Sequence, residues 1–334
     1  MSRYGSSFWF FCVIGFLAFV SYDLIRSPLL PLFADSLGAS PWLIGLVVGV
    51  STITGVFFKL PAGTLSDKIG RRPLLFSGLL VFAAGPPLYF LVEGVEMLFG
   101  LRIFHGFATA IFAPVALAVV ADRFRENRGA ALGWYTAFGQ AGRLSGRTAG
   151  GFILGAWGFQ VVFGIGAAMG MMALILFILT RFETGQASGE SSGNREKIHV
   201  WTGMKEIAGE PRILAASGME GVLLTASGSL MAFLPLYAVH SGLSAGQAGL
   251  LFGAMGVASI GARPLMGEFS DRLGRIPMIL TGQLLCAGLM FTLPVLSGFN
   301  GLLFFSLAFG FSEAVMGSST SALVADLSRK QSLG

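Results

Sequence analysis

Ten runs of apolar residues, each long enough to cross a bilayer as a helix, leave this chain few folds to choose from. Their approximate limits are 8–33, 41–62, 73–92, 97–121, 130–156, 158–181, 213–239, 244–266, 277–297 and 301–325. A membrane barrel needs alternating segments of about ten residues, and these runs do not alternate. Charged residues fill only 12% of the 334 positions, about half the share usual in globular domains. A surface so poor in charge cannot face water all round, so most of it faces lipid. The expected class is an all-α membrane protein. The 48 glycines show no G-X-Y period and fit close packing between membrane helices. The first run starts at Phe8 and continues past Val20 with no small-x-small cleavage site. It reads as an uncleaved first span rather than a signal peptide. Cys12 and Cys286 fall inside apolar runs and read as small buried hydrophobes, not as a disulfide or metal ligands.

The positions of Lys and Arg predict the orientation. With a cytoplasmic N-terminus, the inside segments hold sixteen of them, including Arg3, Lys68, Arg71, Arg72, Arg123, Arg125 and Arg128. The outside connections near 34–40, 93–96, 157, 240–243 and 298–300 hold none. That asymmetry predicts an N-inside protein of the cell membrane, and it accounts for the net charge of +5 without a nucleic acid. The longest polar stretch has a Gly/Ser-rich core at 184–194 and reads as a linker. It divides the chain into an N-terminal six-span bundle (1–181), a cytoplasmic linker (182–212) and a C-terminal bundle (213–334). Within the linker, Trp201–Ile207 is a candidate short interfacial helix.

A decapeptide, Gly63-Thr64-Leu65-Ser66-Asp67-Lys68-Ile69-Gly70-Arg71-Arg72, breaks the apolar pattern and returns 204 positions later as Gly267-Glu268-Phe269-Ser270-Asp271-Arg272-Leu273-Gly274-Arg275. Other residues coincide at the same offset. Pro31-Leu32 meets Pro235-Leu236, Gly106-Phe107 meets Gly310-Phe311, and Val120-Ala121-Asp122 meets Val324-Ala325-Asp326. Ser40-Pro41 reads as a helix N-cap with Pro at N1, and Ser244 with Gln247 as a capping box. A fixed offset of this kind means internal duplication. The first half continues for two spans beyond the segment matching Asp326. By its own symmetry the chain lacks two helices, about 50 residues, and reads as C-terminally incomplete.

The decapeptide fits Gly-x-Leu-(Ser/Ala)-Asp-(Lys/Arg)-x-Gly-Arg-(Lys/Arg) between the second and third spans. It resembles the signature loop of the major facilitator superfamily (MFS), and the resemblance covers essentially the whole chain. It implies two helical bundles related by a pseudo-twofold repeat, here six helices and four, which rock about a central site in alternating access. Glycines at 63 and 70 allow a tight turn and close helix approach. Asp67 and Arg71, four apart, can pair, and Asp122 lies on the same membrane face. The resemblance implies a cytoplasmic gate made of Gly63, Asp67, Gly70, Arg71 and Asp122, repeated as Gly267, Asp271, Arg275 and Asp326. It also implies that Asp67 faces an eleventh helix that this chain does not contain, whereas the partner helix of Asp271 is present. The plainer reading, topology signals at a lipid surface, suits Lys68 and Arg72. It does not account for the acids. In the fourth span Arg102-Ile103-Phe104-His105-Gly106 resembles another family motif. In the fifth, Gly142, Gly146, Gly150 and Gly151 resemble the antiporter motif Gly-x-x-x-Gly-Pro-x-x-Gly-Gly, except that Arg147 stands in place of its proline.

An ionisable group within a span is costly and is a functional candidate. Asp23, Glu313 and Glu220 are candidates for proton coupling. Arg26, Arg102, His105, Arg143 and Arg147 are candidates for lining a substrate cavity. In the family, spans one, four, seven and ten line the cavity, which would bring Asp23, Arg102, His105, Glu220 and Glu313 to one site. Each also has a bland reading. Asp23 and Arg26, three apart, can form a structural ion pair; Arg102 can pair with Asp23 across helices; His105 can be a core histidine; Glu220 can be hydrated near the cytoplasm.

The expected function is secondary transport of a small molecule, coupled to protons, with efflux of a drug or metabolite preferred and an organic-anion:proton symporter as the alternative. A non-transporting sensor or an inactive fragment on the same scaffold is the reading from another class. An enzyme is not expected. His105, His199 and His240 lack ligand spacing, so no metal site is read, and no P-loop appears. No cofactor is read. The expected partners are the substrate, protons and the bilayer, with the protein a monomer.

Overall fold

The structure, a computed structural model, describes residues 5–180 and 211–331, without the side chains of Leu60, Asp67, Arg212, Ile213, Ser321 and residues 324–331. The candidate helix at Trp201–Ile207 and nearly all of the linker lie outside these residues. So do the side chains of two gate candidates, Asp67 and Asp326.

Every regular element among the described residues is helical: α1 (Ser6–Arg26), α2 (Leu29–Ser36), α3 (Pro41–Ile69), α4 (Arg71–Leu88), α5 (Val95–Arg123), α6 (Arg128–Leu179), α7 (Pro211–His240), α8 (Ala245–Leu273), α9 (Arg275–Thr292) and α10 (Gly298–Gln331). Among the described residues, nine stretches are long and apolar enough to cross a membrane. One of them, α6, has 52 residues, far more than a single crossing uses. Gly158 breaks it with φ 78° and ψ −180°, a conformation closed to L side chains, and each leg is still long enough to span. Counting the two legs of α6 separately, the described residues hold ten stretches long enough to span, the number of apolar runs in the sequence. The first run differs in detail. It is cut after Arg26 because Pro28 has no N–H for the helix ladder, whereas α7 carries Ala232 at the matching position and runs on unbroken.

The 204-residue offset recurs in the helices themselves. Ile69 ends α3 and Leu273 ends α8; Arg71 starts α4 and Arg275 starts α9. The single residue between each pair is a left-handed glycine, Gly70 at φ 93° and Gly274 at φ 95°. Packing repeats as well. A Cβ on Gly78 would meet Phe112 at 2.9 Å, and one on the equivalent Gly282 would meet the equivalent Met316, also at 2.9 Å. The Ser244–Gln247 capping box forms in both directions, with Gln247 N–H to Ser244 Oγ at 3.2 Å and Ser244 N–H to Gln247 Oε1 at 2.9 Å. Ser40 sits at the N-cap of α3 with Pro at N1, but its side chain makes no cap hydrogen bond.

The chain divides into two compact units. The first holds the first six spans together with Met231–His240 and Ser244–Gly249; the second holds the rest of α7 and the chain from Leu250 onward. The first unit is built on α1. Its aromatic face (Phe8, Phe11 and their neighbours) packs with Phe82, Phe112 and Phe177 in one buried cluster. Along its other side runs the glycine row of α6. Cβ atoms on Gly142, Gly146 and Gly150 would lie 2.5, 2.9 and 2.7 Å from the carbonyl oxygens of Phe16, Val20 and Leu24. These glycines bring the two backbones into contact, as the GxxxG spacing predicts. They also carry Arg143 and Arg147 up against α1.

Candidate functional site

That approach puts two cations beside one acid. Asp23 of α1 is fully buried. Its Oδ1 accepts from Arg147 Nε at 2.9 Å, and its Oδ2 from Arg143 Nη1 at 3.4 Å. The arginines are not sealed in: their side chains keep 27% (Arg143) and 21% (Arg147) of their surface. Arg143 also stacks its guanidinium over the Phe19 ring at 3.9 Å. The residue that replaces the antiporter-motif proline is thus the closer partner of the buried acid.

Asp23 does not pair with Arg26. α6 lies against α1, and its two arginines take the carboxylate. Arg26 has no ion pair among the described residues, and its Nε is buried without a hydrogen-bond partner. Nor does Arg102 reach Asp23. It is wholly buried in α5 and donates to Ser51 Oγ at 2.6 Å and Tyr89 Oη at 3.2 Å. Its guanidinium lies 5.6 Å from the centre of the Tyr22 ring. His105, one turn on, meets Tyr89 Oη through Nδ1 at 3.2 Å and packs edge-on to Tyr22. Its Nε2 has no partner among the described residues. His105 is therefore a buried member of the Arg102–Tyr89–Ser51 network.

The tyrosines of this network escaped the sequence reading, and a signal for them exists. The chain holds 31 Phe and 5 Tyr, so a phenol kept within a span marks a place where a hydroxyl is used. Tyr22, Tyr89 and Tyr135 are all buried in the first unit. Tyr135 also lines a half-open cleft of about 150 Å³ together with Phe19, Gln140 and Arg143.

In the second unit, Glu313 of α10 accepts a hydrogen bond from Ser227 of α7. At the 204-residue offset Ser227 stands where Asp23 does, and Glu313 where Thr109 does. The acid has moved from the first span of one half to the fourth span of the other. Glu220 is half-buried, and its Oε2 has no partner among the described residues.

At the gate candidates, Arg71 pairs with Asp122 and donates to the Ala118 carbonyl at 3.0 Å. In the repeat, Arg275 pairs with Asp271 at 2.5 Å and reaches Ser270 Oγ at 3.2 Å. The two gate glycines at the front of each motif do not make the turn. Gly63 and Gly267 lie inside α3 and α8 with open space around them. A single left-handed residue, Gly70 or Gly274, suffices to reverse the chain.

A family model described as Major Facilitator Superfamily matches residues 11–334. The multi-drug resistance efflux pump PmrA of Streptococcus pneumoniae (strain TIGR4) is 29% identical over 290 residues, which cover 82% of this chain and 71% of the pump. Multidrug resistance protein 1 of Bacillus subtilis (strain 168) is 28% identical over 294 residues, covering 86% of this chain and 73% of that protein. Among solved structures, a bacterial homolog of the human lysosomal transporter Spinster, inward-facing and unoccupied, matches with a TM-score of 0.79 at 16% identity. That match covers 95% of this chain and 74% of the other. The nucleoside transporter NupG matches with a TM-score of 0.80 at 14% identity, covering 95% of this chain and 82% of NupG. At these identities the two structures speak for the fold.

Proposed function

The chain belongs to the Major Facilitator Superfamily of membrane transporters, and on that premise we propose that it exports a small molecule by proton-coupled alternating access. The observation that carries the coupling is Asp23: a carboxylate with no exposed surface, inside a span, held by two arginines. Protonating it would release both guanidiniums at once, which ties a proton to a rearrangement of charge between α1 and α6. Glu313 with Ser227 is the corresponding group of the second unit. The likeness to multidrug efflux pumps supports the outward direction. Asp67, Arg71 and Asp122, with Asp271, Arg275 and Asp326, form the proposed cytoplasmic gate. Glu220, one helical stretch below Ser227, is the third proton candidate.

Uptake into proteoliposomes with and without an imposed pH gradient tests the coupling; equal rates in the two would overturn it. Within that assay, Glu313→Gln is expected to lower gradient-driven transport about tenfold or more, because the amide oxygen can still accept from Ser227 but the group cannot take up and release a proton. Undiminished transport would remove Glu313 from the scheme.

A cytoplasmic N-terminus is part of the proposal and has its own test. Both native cysteines are buried, so the background to thiol labelling is low. A cysteine introduced at Ser241, in the turn between α7 and α8, should react with a membrane-impermeant maleimide on whole cells. One at Lys68 should react only after lysis. The reverse pattern would invert the topology.

An organic-anion:proton symporter is the second reading. Four intramembrane arginines of the first unit, Arg26, Arg102, Arg143 and Arg147, outnumber its intramembrane acid, Asp23, and two of them, Arg143 and Arg147, bond it.

A further inference from the structure

We propose that the cleft beside α1 and α6 is a binding site for a small carboxylate with an apolar or aromatic body, and that this carboxylate displaces Asp23 from Arg143. The inference rests on the reading of the chain as a carrier and goes further in naming what the first unit holds. The two arginines on Asp23 are not equivalent. Arg147 makes the shorter bond, 2.9 Å against 3.4 Å. Arg143 is the looser partner, is the more exposed, and is the one that lines the cleft of about 150 Å³. A guanidinium has five donors and can turn two of them towards an incoming carboxylate. Arg147 would stay on Asp23, so the buried acid would not lose its counter-charge.

The rest of the lining fits the same ligand. Phe19 offers its ring beside the Arg143 guanidinium, and Ala113 and Leu117 add apolar wall. Gln140 supplies a neutral amide. Tyr135 lines the cleft while only 3% exposed, and its hydroxyl has no hydrogen-bond partner among the described residues. Among the described residues no acidic side chain lines the cleft, and Arg143 and Arg147 with Asp23 carry a net positive charge, which disfavours a cation there. Asp23, behind the arginines, then acts as an internal competitor for the site.

Isothermal titration of the full chain in nanodiscs with benzoate, benzamide and benzylammonium tests this. Benzoate is expected to bind at least about tenfold more tightly than the other two. Arg143→Gln is expected to weaken benzoate about tenfold or more, and Arg143→Lys to recover part of the loss. Asp23→Asn removes the competitor and is expected to tighten benzoate several-fold; it keeps the proposal testable if Arg143→Gln does not fold. Equal binding of the three probes, no benzoate binding, unchanged affinity in Arg143→Gln or weaker binding in Asp23→Asn would each overturn the site. The titration is made without a gradient, so its failure is separate from that of proton coupling. Gradient-driven transport of another substrate alongside no benzoate binding would sink the anion site alone.

Discussion

Asp23→Asn is expected to reduce gradient-driven transport on the order of a hundredfold while the protein remains folded and inserted. Asparagine has the shape of the acid but cannot exchange a proton or hold two guanidiniums by charge. The fold should survive because Arg143 and Arg147 keep about a quarter and a fifth of their side-chain surface exposed. Each can take up water in place of the lost oxygen, so little charge is left stranded. The contrast is Arg102→Leu. Arg102 has no exposed surface and bonds both Ser51 and Tyr89. Removing it should cost stability, because two buried hydroxyls lose a partner. Proteoliposome flux together with the melting temperature of the purified variants separates the two cases. Normal flux in Asp23→Asn would end the role proposed for Asp23.

Much of the architecture was legible because lipid imposes a coarse rule. A span needs about twenty apolar residues, and a repeated motif at one offset dates both halves to one unit. Even the gate turn reads out in part. Gly70 and Gly274 are glycines because φ lies near +94° there. Gly63 and Gly267 look alike in sequence and are not turn residues, since a helix tolerates a glycine without using it. The partners of Asp23 were less legible. Spacing on one helix favours Arg26, three residues away, but the carboxylate is claimed by a neighbour that the glycine row draws to contact distance. Sequence spacing reports neighbours within a helix; partners across helices depend on how closely the backbones approach. Tyr89 and Ser51 were missed for the same reason. Neither carries charge, so neither stands out until Arg102 is found between them.

Gly142→Leu is expected to have a large structural effect on the first unit. A Cβ at that position would lie 2.5 Å from the Phe16 carbonyl oxygen and 3.2 Å from its Cα. The obstacle is backbone, so no rotamer change relieves it, and α1 must move away from α6. Overpacking of a tight contact costs about 1–3 kcal/mol when side chains can give way. Here the whole row is engaged, because Cβ atoms on Gly146 and Gly150 would also lie under 3.0 Å from the carbonyl oxygens of Val20 and Leu24. A shift that admits one leucine therefore also opens the seam that holds Arg147 against Asp23. The variant should lose both folded yield and benzoate binding. Gly133→Ala on the same helix is the control. Nothing lies within 4 Å of its Cβ, and alanine should leave stability unchanged or raise it by up to about 1 kcal/mol. Detergent-solubilised yield by size-exclusion chromatography reads both. A well-behaved Gly142→Leu with native binding would mean that α1 and α6 do not depend on backbone contact, and that the glycine row does not position the arginines.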